Sequence, residues 1–546
     1  MLSRVILAVL SLLVASVCSA AVSTALRLPS DLTPAIFAAS ALAAGLAFRH
    51  LPLVNAREPL HWFEAALIGW AALLAALRLV PYTAQSLTGR LAGAVHFDDN
   101  WHFQELASLV TSDRFPPLLN FQPDTHLHFY YVAWMPAAAV AELFQLLDVS
   151  AIKLAYGIGA LLLDLSAVLI VVVFLRHVVA PGRRGAAVVA LLLAGAVPDG
   201  VAVLGRWATA VATGDAPRDW LAHAEWWQVG YGIPNQLSNL TTLLVWVPHH
   251  LIGGTALLLA VVVATEPLTL KPRAAPTAML AAGLLVGFAA FASVFALIGG
   301  LLALSPLLMR FATRPMAVVA LGAAALVATP LAYLYLHADS AGGFQLFLIF
   351  TRWSELFGTP VAGFAGLTVA ALFITAEIGW LAGWALRPPP SPFASPLGRC
   401  AVAAAVFLAS TVAVGFSGAN NYVMRGAVVP IVLVAAYWAQ VRAGGIALFR
   451  QSRSVVAVAV LVVLLGAVAH LAEAVRHGRD SVAAITLADE TEACKVAIMA
   501  ANAGPPGRVD PDGFGCRGLY SLYGLERPFV KRKLEEPDRE LMGRGP

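Results

Sequence analysis

Tyr130-Tyr131-Val132-Ala133-Trp134-Met135-Pro136 opens an apolar stretch that runs on to Glu142-Leu143-Phe144-Gln145-Leu146-Leu147. Whether this stretch crosses a bilayer decides the fold, because one extra crossing reverses the side of every loop after it. A crossing helix needs about twenty apolar residues. This one contains Pro136, Glu142 and Gln145 and directly follows a polar loop. It therefore reads as an interfacial or re-entrant helix that does not span.

The surrounding chain settles the class. Its 546 residues are 60% apolar and 12% charged, where a soluble domain carries roughly 25% charge. The expectation is an all-α, polytopic membrane protein. Apolar runs at 5–24, 33–48, 62–80, 150–175, 185–204, 243–265, 277–291, 292–309, 316–336, 360–386, 400–416, 426–441 and 454–475 predict about thirteen transmembrane helices. The hairpin within 277–309 turns near Phe291-Ala292-Ser293. Positive charge marks the cytoplasmic side. With the N-terminus inside, the inner loops collect Arg49, Arg57, Arg176, Arg183, Arg184, Lys271, Arg273, Arg310, Arg314, Arg387, Arg399, Arg442, Arg450 and Arg453.

This pattern predicts a multi-pass protein of the inner (cytoplasmic) membrane, N-terminus inside and C-terminus outside. The first segment also has the small residues of a signal-peptide cleavage site, but the charge pattern holds with it retained. Residues 1–475 form the transmembrane domain, with large outer loops at 81–149 and 199–242. Residues 476–546 form a small outer tail, in which Cys494 and Cys516 can pair if the compartment is oxidising. The net charge of +4 and the absence of a Walker loop, dinucleotide fingerprint or nucleic-acid signature argue against an ATP-driven pump and against nucleic acid as a partner.

The ionisable residues cluster in the outer loops. The densest group is His96-Phe97-Asp98-Asp99-Asn100-Trp101-His102-Phe103-Gln104-Glu105, followed by Ser112-Asp113-Arg114-Phe115-Pro116-Pro117. Adjacent carboxylates repel, so Asp98 and Asp99 need water, a cation or a proton between them. If the segment is helical, Asp98, Asp99 and His102 share a face, and Phe103, Leu106, Leu109 and Val110 give it an apolar side.

Further candidates are Asp199 and Arg206, then His249 and His250 beside Trp246, and Asn421 and Arg425 in the turn Asn420-Asn421-Tyr422-Val423-Met424-Arg425. Trp101, Trp226, Trp227 and Trp353 suit either sugar stacking or an interfacial aromatic belt. Glu142 and Asp164 are carboxylates in apolar surroundings, where charge is costly; Asp164 is either protonated or paired with a neighbouring helix.

Asp98-Asp99 in the first large outer loop, His102-Phe103, Phe115-Pro116-Pro117 and His128-Phe129-Tyr130-Tyr131 together resemble the GT-C superfamily of membrane glycosyltransferases, in its aminoarabinose-transferase, protein-mannosyltransferase and oligosaccharyltransferase branches. Asn420-Asn421 through Arg425 resembles an Asn-Asp…Arg turn of GT-C-like proteins, with Asn421 in place of the acid. No branch is assigned, and the lysine of the aminoarabinose branch is missing near Ser293. The resemblance implies amphipathic juxtamembrane helices in the outer loop, an active site facing the periplasm or exterior, and a polyprenyl-phosphate-linked sugar donor. The acceptor is an unspecified lipid, glycan or protein.

Such a transfer needs a base, positive charge for the departing phosphate and a groove for the lipid tail. Asp98 or Asp99 is the expected base, acting by inversion as paired carboxylates do in glycoside hydrolysis. The other is free to hold a divalent ion (Mg, Mn or Zn), with His102 as a further ligand. Arg425 and Arg206 are the expected phosphate partners, joined by His249, His250, Asn421 and Tyr131, with Asp199 as a second acid. Two other classes compete: a transporter or flippase of a lipid-linked or small substrate, and a catalytically inactive envelope-assembly scaffold. Outer-loop clustering of ionisable groups and the lack of matching halves favour the enzyme over the transporter.

Overall fold

The computed structural model describes residues 2–51, 58–88, 97–119, 122–127, 131–146, 152–214, 237–270, 272–312, 315–336, 346–388, 390–416, 421–442 and 453–486. The described residues are almost wholly helical. It begins with α1 (Leu2–Leu26), α2 (Thr33–Phe48), α3 (Trp62–Thr88), α4 (Phe97–Thr111) and α5 (Tyr131–Leu146). Then come α6 (Ile152–Val178), α7 (Arg184–Leu193), α8 (Ala196–Thr213), α9 (Leu240–Trp246) and α10 (Pro248–Leu270). Next are α11 (Ala275–Ala292), α12 (Val294–Ala312), α13 (Ala317–Leu336), α14 (Ile349–Phe357) and α15 (Pro360–Ile374). The last are α16 (Trp380–Leu386), α17 (Pro396–Ser410), α18 (Asn421–Gly426), α19 (Val428–Arg442) and α20 (Arg453–Thr486).

Among the described residues, two short antiparallel ribbons interrupt the all-α pattern: β1 (Leu118–Leu119) with β2 (Gln122–His126), and β3 (Leu346–Leu348) with β4 (Val414–Phe416). The second pairs Leu346 with Phe416, Phe347 with Gly415 and Leu348 with Val414.

Local chemistry sets many of the boundaries. α2, α11, α15 and α17 begin with proline in the first turn, where its missing N–H costs no hydrogen bond. Asn239, Thr359 and Ser395 cap α9, α15 and α17 through their side chains. At Ser293 the backbone is extended, which separates α11 from α12 at the turn expected from Phe291-Ala292-Ser293.

Eight helical segments are long and apolar enough to cross a membrane: Leu2–Leu26, Ser30–Phe48, Trp62–Ala84, Ile152–Val178, Pro248–Thr265, Ala275–Ala292, Pro360–Leu386 and Val456–Val482. A ninth arises if Pro181–Leu193 and Ala196–Thr213, bent by 49° at the break, count as one. By length and apolarity the described residues thus give eight or nine, against the thirteen expected. The runs at 292–309, 316–336, 400–416 and 426–441 form the shorter apolar helices α12, α13, α17 and α19.

α5 is also short. At 16 residues it spans about 24 Å, less than the roughly 30 Å hydrocarbon core. Its residues Tyr131–Ala139 are all buried, with α1, α2, α4, α6 and α11 packed around it. Its first half is therefore covered by other helices, while Leu143 near its end is exposed.

One end of the bundle is tied by arginines. Arg176 donates to Glu64 and to the carbonyls of Glu58 and Pro59, and Arg184 pairs with Glu58. Arg183 donates to the Gln440 carbonyl, Arg442 to that of Trp384, and Thr265 bonds His177. These contacts gather the starts of α3 and α7 with the ends of α6, α10, α16 and α19. At the other end, the α1–α2 turn bridges the segment after α4: Phe115 N–H donates to the Leu28 carbonyl at 2.9 Å, and Pro29 pairs with Arg114. That bridge holds α4 over the helix ends.

Candidate functional site

α4 starts with Asp98 and Asp99 in its first turn, where the helix dipole favours carboxylates. Its inward residues Asp99, His102 and Glu105 are buried between α3, α5 and α6. Asp99 is fully enclosed. Its Oδ2 accepts the Tyr82 hydroxyl, its Oδ1 accepts the Tyr156 hydroxyl at 2.5 Å, and Arg78 Nε lies 3.8 Å from Oδ1. Arg78, itself 1% exposed, also approaches Asp164 Oδ2 at 3.8 Å and donates to the Leu244 carbonyl at 3.5 Å. One guanidinium thus stands between two buried acids contributed by α4 and α6.

His102 joins this carboxylate centre to a second group. Its Nδ1 bonds Glu105 Oε2 at 2.7 Å. Its ring stacks near Tyr156, touches Trp134 with centroids 5.0 Å apart, and meets His249 edge-on at 4.5 Å. His249 and His250 sit in the first turn of α10, and His250 Nδ1 bonds Ser293 Oγ at 2.9 Å. Ser293 Oγ also accepts the Ala296 N–H at 3.2 Å, so one side chain both caps α12 and fixes His250. Arg425 lies over Phe295, two residues beyond Ser293, with 5.9 Å between guanidinium and ring centre.

Glycines permit this approach. A Cβ at Gly253 would press on Ser293, one at Gly254 would clash with Val428, and one at Gly299 would run into the carbonyl of Gly426. Small residues here let α10, α12 and the α18–α19 turn come close, which brings His249, His250 and Arg425 to one place. The β3–β4 ribbon ends immediately before the segment leading to α18.

The structure therefore assembles Asp99, His102, His249, His250 and Arg425. The side chains of Asp98 and Asn421 lie outside the described residues, as do Trp226, Trp227, Cys494 and Cys516. Tyr131 is buried and bonds Thr24 Oγ1 at 3.2 Å, which ties α5 to α1. Asp99 spends its two oxygens on tyrosine hydroxyls and His102 bonds Glu105. Among the described residues, no group of three or more His, Cys, Asp or Glu is placed to hold a metal ion.

Asp199 and Arg206 belong to a different cluster, on α8 against α20. Asp199 Oδ2 accepts from Asn239 at 3.0 Å. Glu473 accepts the Trp246 indole N–H at 2.9 Å and pairs with Arg476, whose guanidinium lies over the Trp246 ring. Beside it runs a hydrogen-bond chain from Trp70 through Thr241 and His470 to the Leu192 carbonyl. The carbonyl can only accept, so His470 Nε2 carries the proton, and Thr241 donates to Nδ1 when the ring is neutral.

Arg78, Tyr82, Glu105, Tyr156 and Trp134 do not stand out in the sequence as site residues. A usable signal was present for Arg78 and Asp164. Each is a charge set within an apolar run, the two are opposite in sign, and an intramembrane charge is costly unless paired. The chain matches no protein-family model and is significantly similar to no curated protein.

Proposed function

We propose that this protein is a membrane glycosyltransferase that moves a sugar from a polyprenyl-phosphate donor to an acceptor on the extracytoplasmic face. The observation that supports this reading best is the meeting of α4, the α10 histidines and Arg425, drawn from segments more than three hundred residues apart. In this reading the arginine-tied end of the bundle faces the cytoplasm, and α4 lies at the periplasmic side with the N-terminus inside and the C-terminus outside.

The reading implies the following chemistry. An acceptor hydroxyl oxygen attacks the anomeric carbon, the bond from that carbon to the phosphate oxygen breaks, and the lipid phosphate leaves with the electron pair. A carboxylate takes the hydroxyl proton. Asp99 is held by two tyrosines and Arg78, which suits an anchor better than a mobile base, so Asp98 is the preferred base. Arg425 balances charge on the leaving phosphate, while His249 and His250 offer ring nitrogens beside it.

The test uses purified protein in liposomes with a panel of polyprenyl-phosphate sugars. Asp98→Asn and Arg425→Gln should abolish transfer while the protein still folds and binds polyprenyl phosphate. Turnover unaffected by either change sinks the reading.

A second reading is favoured by one observation, the Arg78–Asp164 pair inside two candidate spans. Buried ionisable pairs mark ion or proton paths in transporters. A transporter of a lipid-linked or small substrate would show proton-coupled flux lost in Asp164→Asn, with no transfer product in any background.

A further inference from the structure

A hollow of about 560 Å³ lies between α7, α16, α19 and α20, in the half of the bundle nearer the arginine-tied end and away from Asp99. Its wall is almost entirely apolar, with Leu193, Trp380, Val458 and Val462 among its residues. Val458, Val463 and Trp384 line it while remaining exposed, so it opens to the side of the bundle, where the candidate spans Pro360–Leu386 and Val456–Val482 border it. Its size falls within the roughly 300–1,000 Å³ of ligand pockets. A helix about 10 Å across fills about 420 Å³ per 5.4 Å turn, so a protein helix would fit for little more than one turn. A flexible hydrocarbon chain suits the space better.

The rim supplies the second half of the argument. Trp384 and Trp438 meet edge to face at 5.2 Å, the amphipathic pair expected at headgroup depth. Arg442 Nε donates to the Trp384 carbonyl at 3.2 Å, and Arg183 donates to the carbonyl of Gln440, which lies between Trp438 and Arg442 in α19. Two guanidiniums are thus fixed beside one apolar groove, and basic pockets between transmembrane helices bind anionic headgroups.

We infer that this groove is a binding site for an anionic glycerophospholipid of the adjoining leaflet. An acyl chain lies against Trp380 and Val462, and the phosphate sits at Arg442 and Arg183. The site is separate from the Asp99 centre and does not depend on the sugar-transfer reading.

The test is native mass spectrometry of the full-length protein, released from nanodiscs of equimolar phosphatidylglycerol and phosphatidylcholine. Wild type should retain phosphatidylglycerol in preference to phosphatidylcholine. Val462→Trp fills the groove and should lose the bound lipid. Ala459→Phe gives the same reading should the tryptophan variant fail to fold. Arg442→Gln should keep a lipid while the preference for phosphatidylglycerol falls about fivefold, the worth of one arginine beside an anionic surface. A wild type that holds both lipids equally, or groove-filling variants that retain lipid as wild type does, overturns the inference.

Discussion

Replacing Arg78 by methionine removes the one guanidinium that approaches both Asp99 and Asp164, each at 3.8 Å. At that distance a pair of charges is worth about 4 kcal/mol with an effective dielectric of about 20. Asp99 keeps its two tyrosine hydroxyls. Asp164 has no hydrogen-bond donor on either oxygen among the described residues, so it is the acid that Arg78→Met strands. Breaking a buried pair from one side costs about 3–5 kcal/mol, and methionine fills much of the vacated volume, which keeps packing loss small.

The second half of the cycle removes the stranded acid. Arg78→Met with Asp164→Leu should regain about 1–4 kcal/mol over Arg78→Met alone, because a buried ion pair is often replaceable by apolar residues. The assay is reversible denaturant unfolding of purified protein in one lipid or detergent, comparing wild type, both single variants and the double. If Arg78→Met lies within about 1 kcal/mol of wild type, or Asp164→Leu brings no recovery in that background, the reasoning about this pair is wrong.

Tyr82→Phe or Tyr156→Phe withdraws one donor from buried Asp99 and should each cost about 1.5–3 kcal/mol, read by the same unfolding titration. Glu64→Ala leaves buried Arg176 the Glu58 and Pro59 carbonyls as its partners among the described residues and should cost at least about 2 kcal/mol, seen as a lowered thermal midpoint. Gly299→Ala forces a methyl group into the Gly426 carbonyl and should destabilise by about 1–3 kcal/mol, with increased protease cleavage around α18.

The Arg184 side chain, donating to Glu58, holds the Glu58 carboxyl below the usual glutamate range. This contribution is complete above the unfolded value of about 4.3 and is lost as pH falls through the lowered folded value. The Glu58 side chain is 41% exposed, so solvent screens the pair and Glu58→Gln should flatten the acid limb of the stability profile only slightly.

Much of the helical plan is legible in the sequence, because a bilayer forces long apolar runs to satisfy their own backbone. The runs near 5–24, 33–48 and 150–175 appear as α1, α2 and α6 with small changes at their ends. The break before α12 also appears, at the Ser293 expected to turn. Two features depend on tertiary packing and escape a periodicity reading. Gly195, with a left-handed φ of 76°, divides the run at 185–204 into α7 and α8. The last run continues to Thr486, so Arg476 and His477 become buried residues of α20 and not the start of a polar tail.

Asp99 and His102 were visible as a polar cluster in an apolar chain. That His249, His250 and Arg425 come together follows from close helix approaches at Gly254 and Gly299, which no local pattern encodes. Asp164 was expected to be protonated or paired with another helix, and Arg78 on α3 is that partner.

The most direct test of the account is made on membranes. Cells lacking this protein should accumulate a polyprenyl-phosphate-linked sugar in their lipid extracts, and wild-type protein should clear it while Asp98→Asn, expressed and inserted to the same level, should not. Clearance by Asp98→Asn equal to wild type, or the absence of any accumulated lipid-linked sugar, contradicts the assignment of α4 and its histidine and arginine partners to sugar transfer.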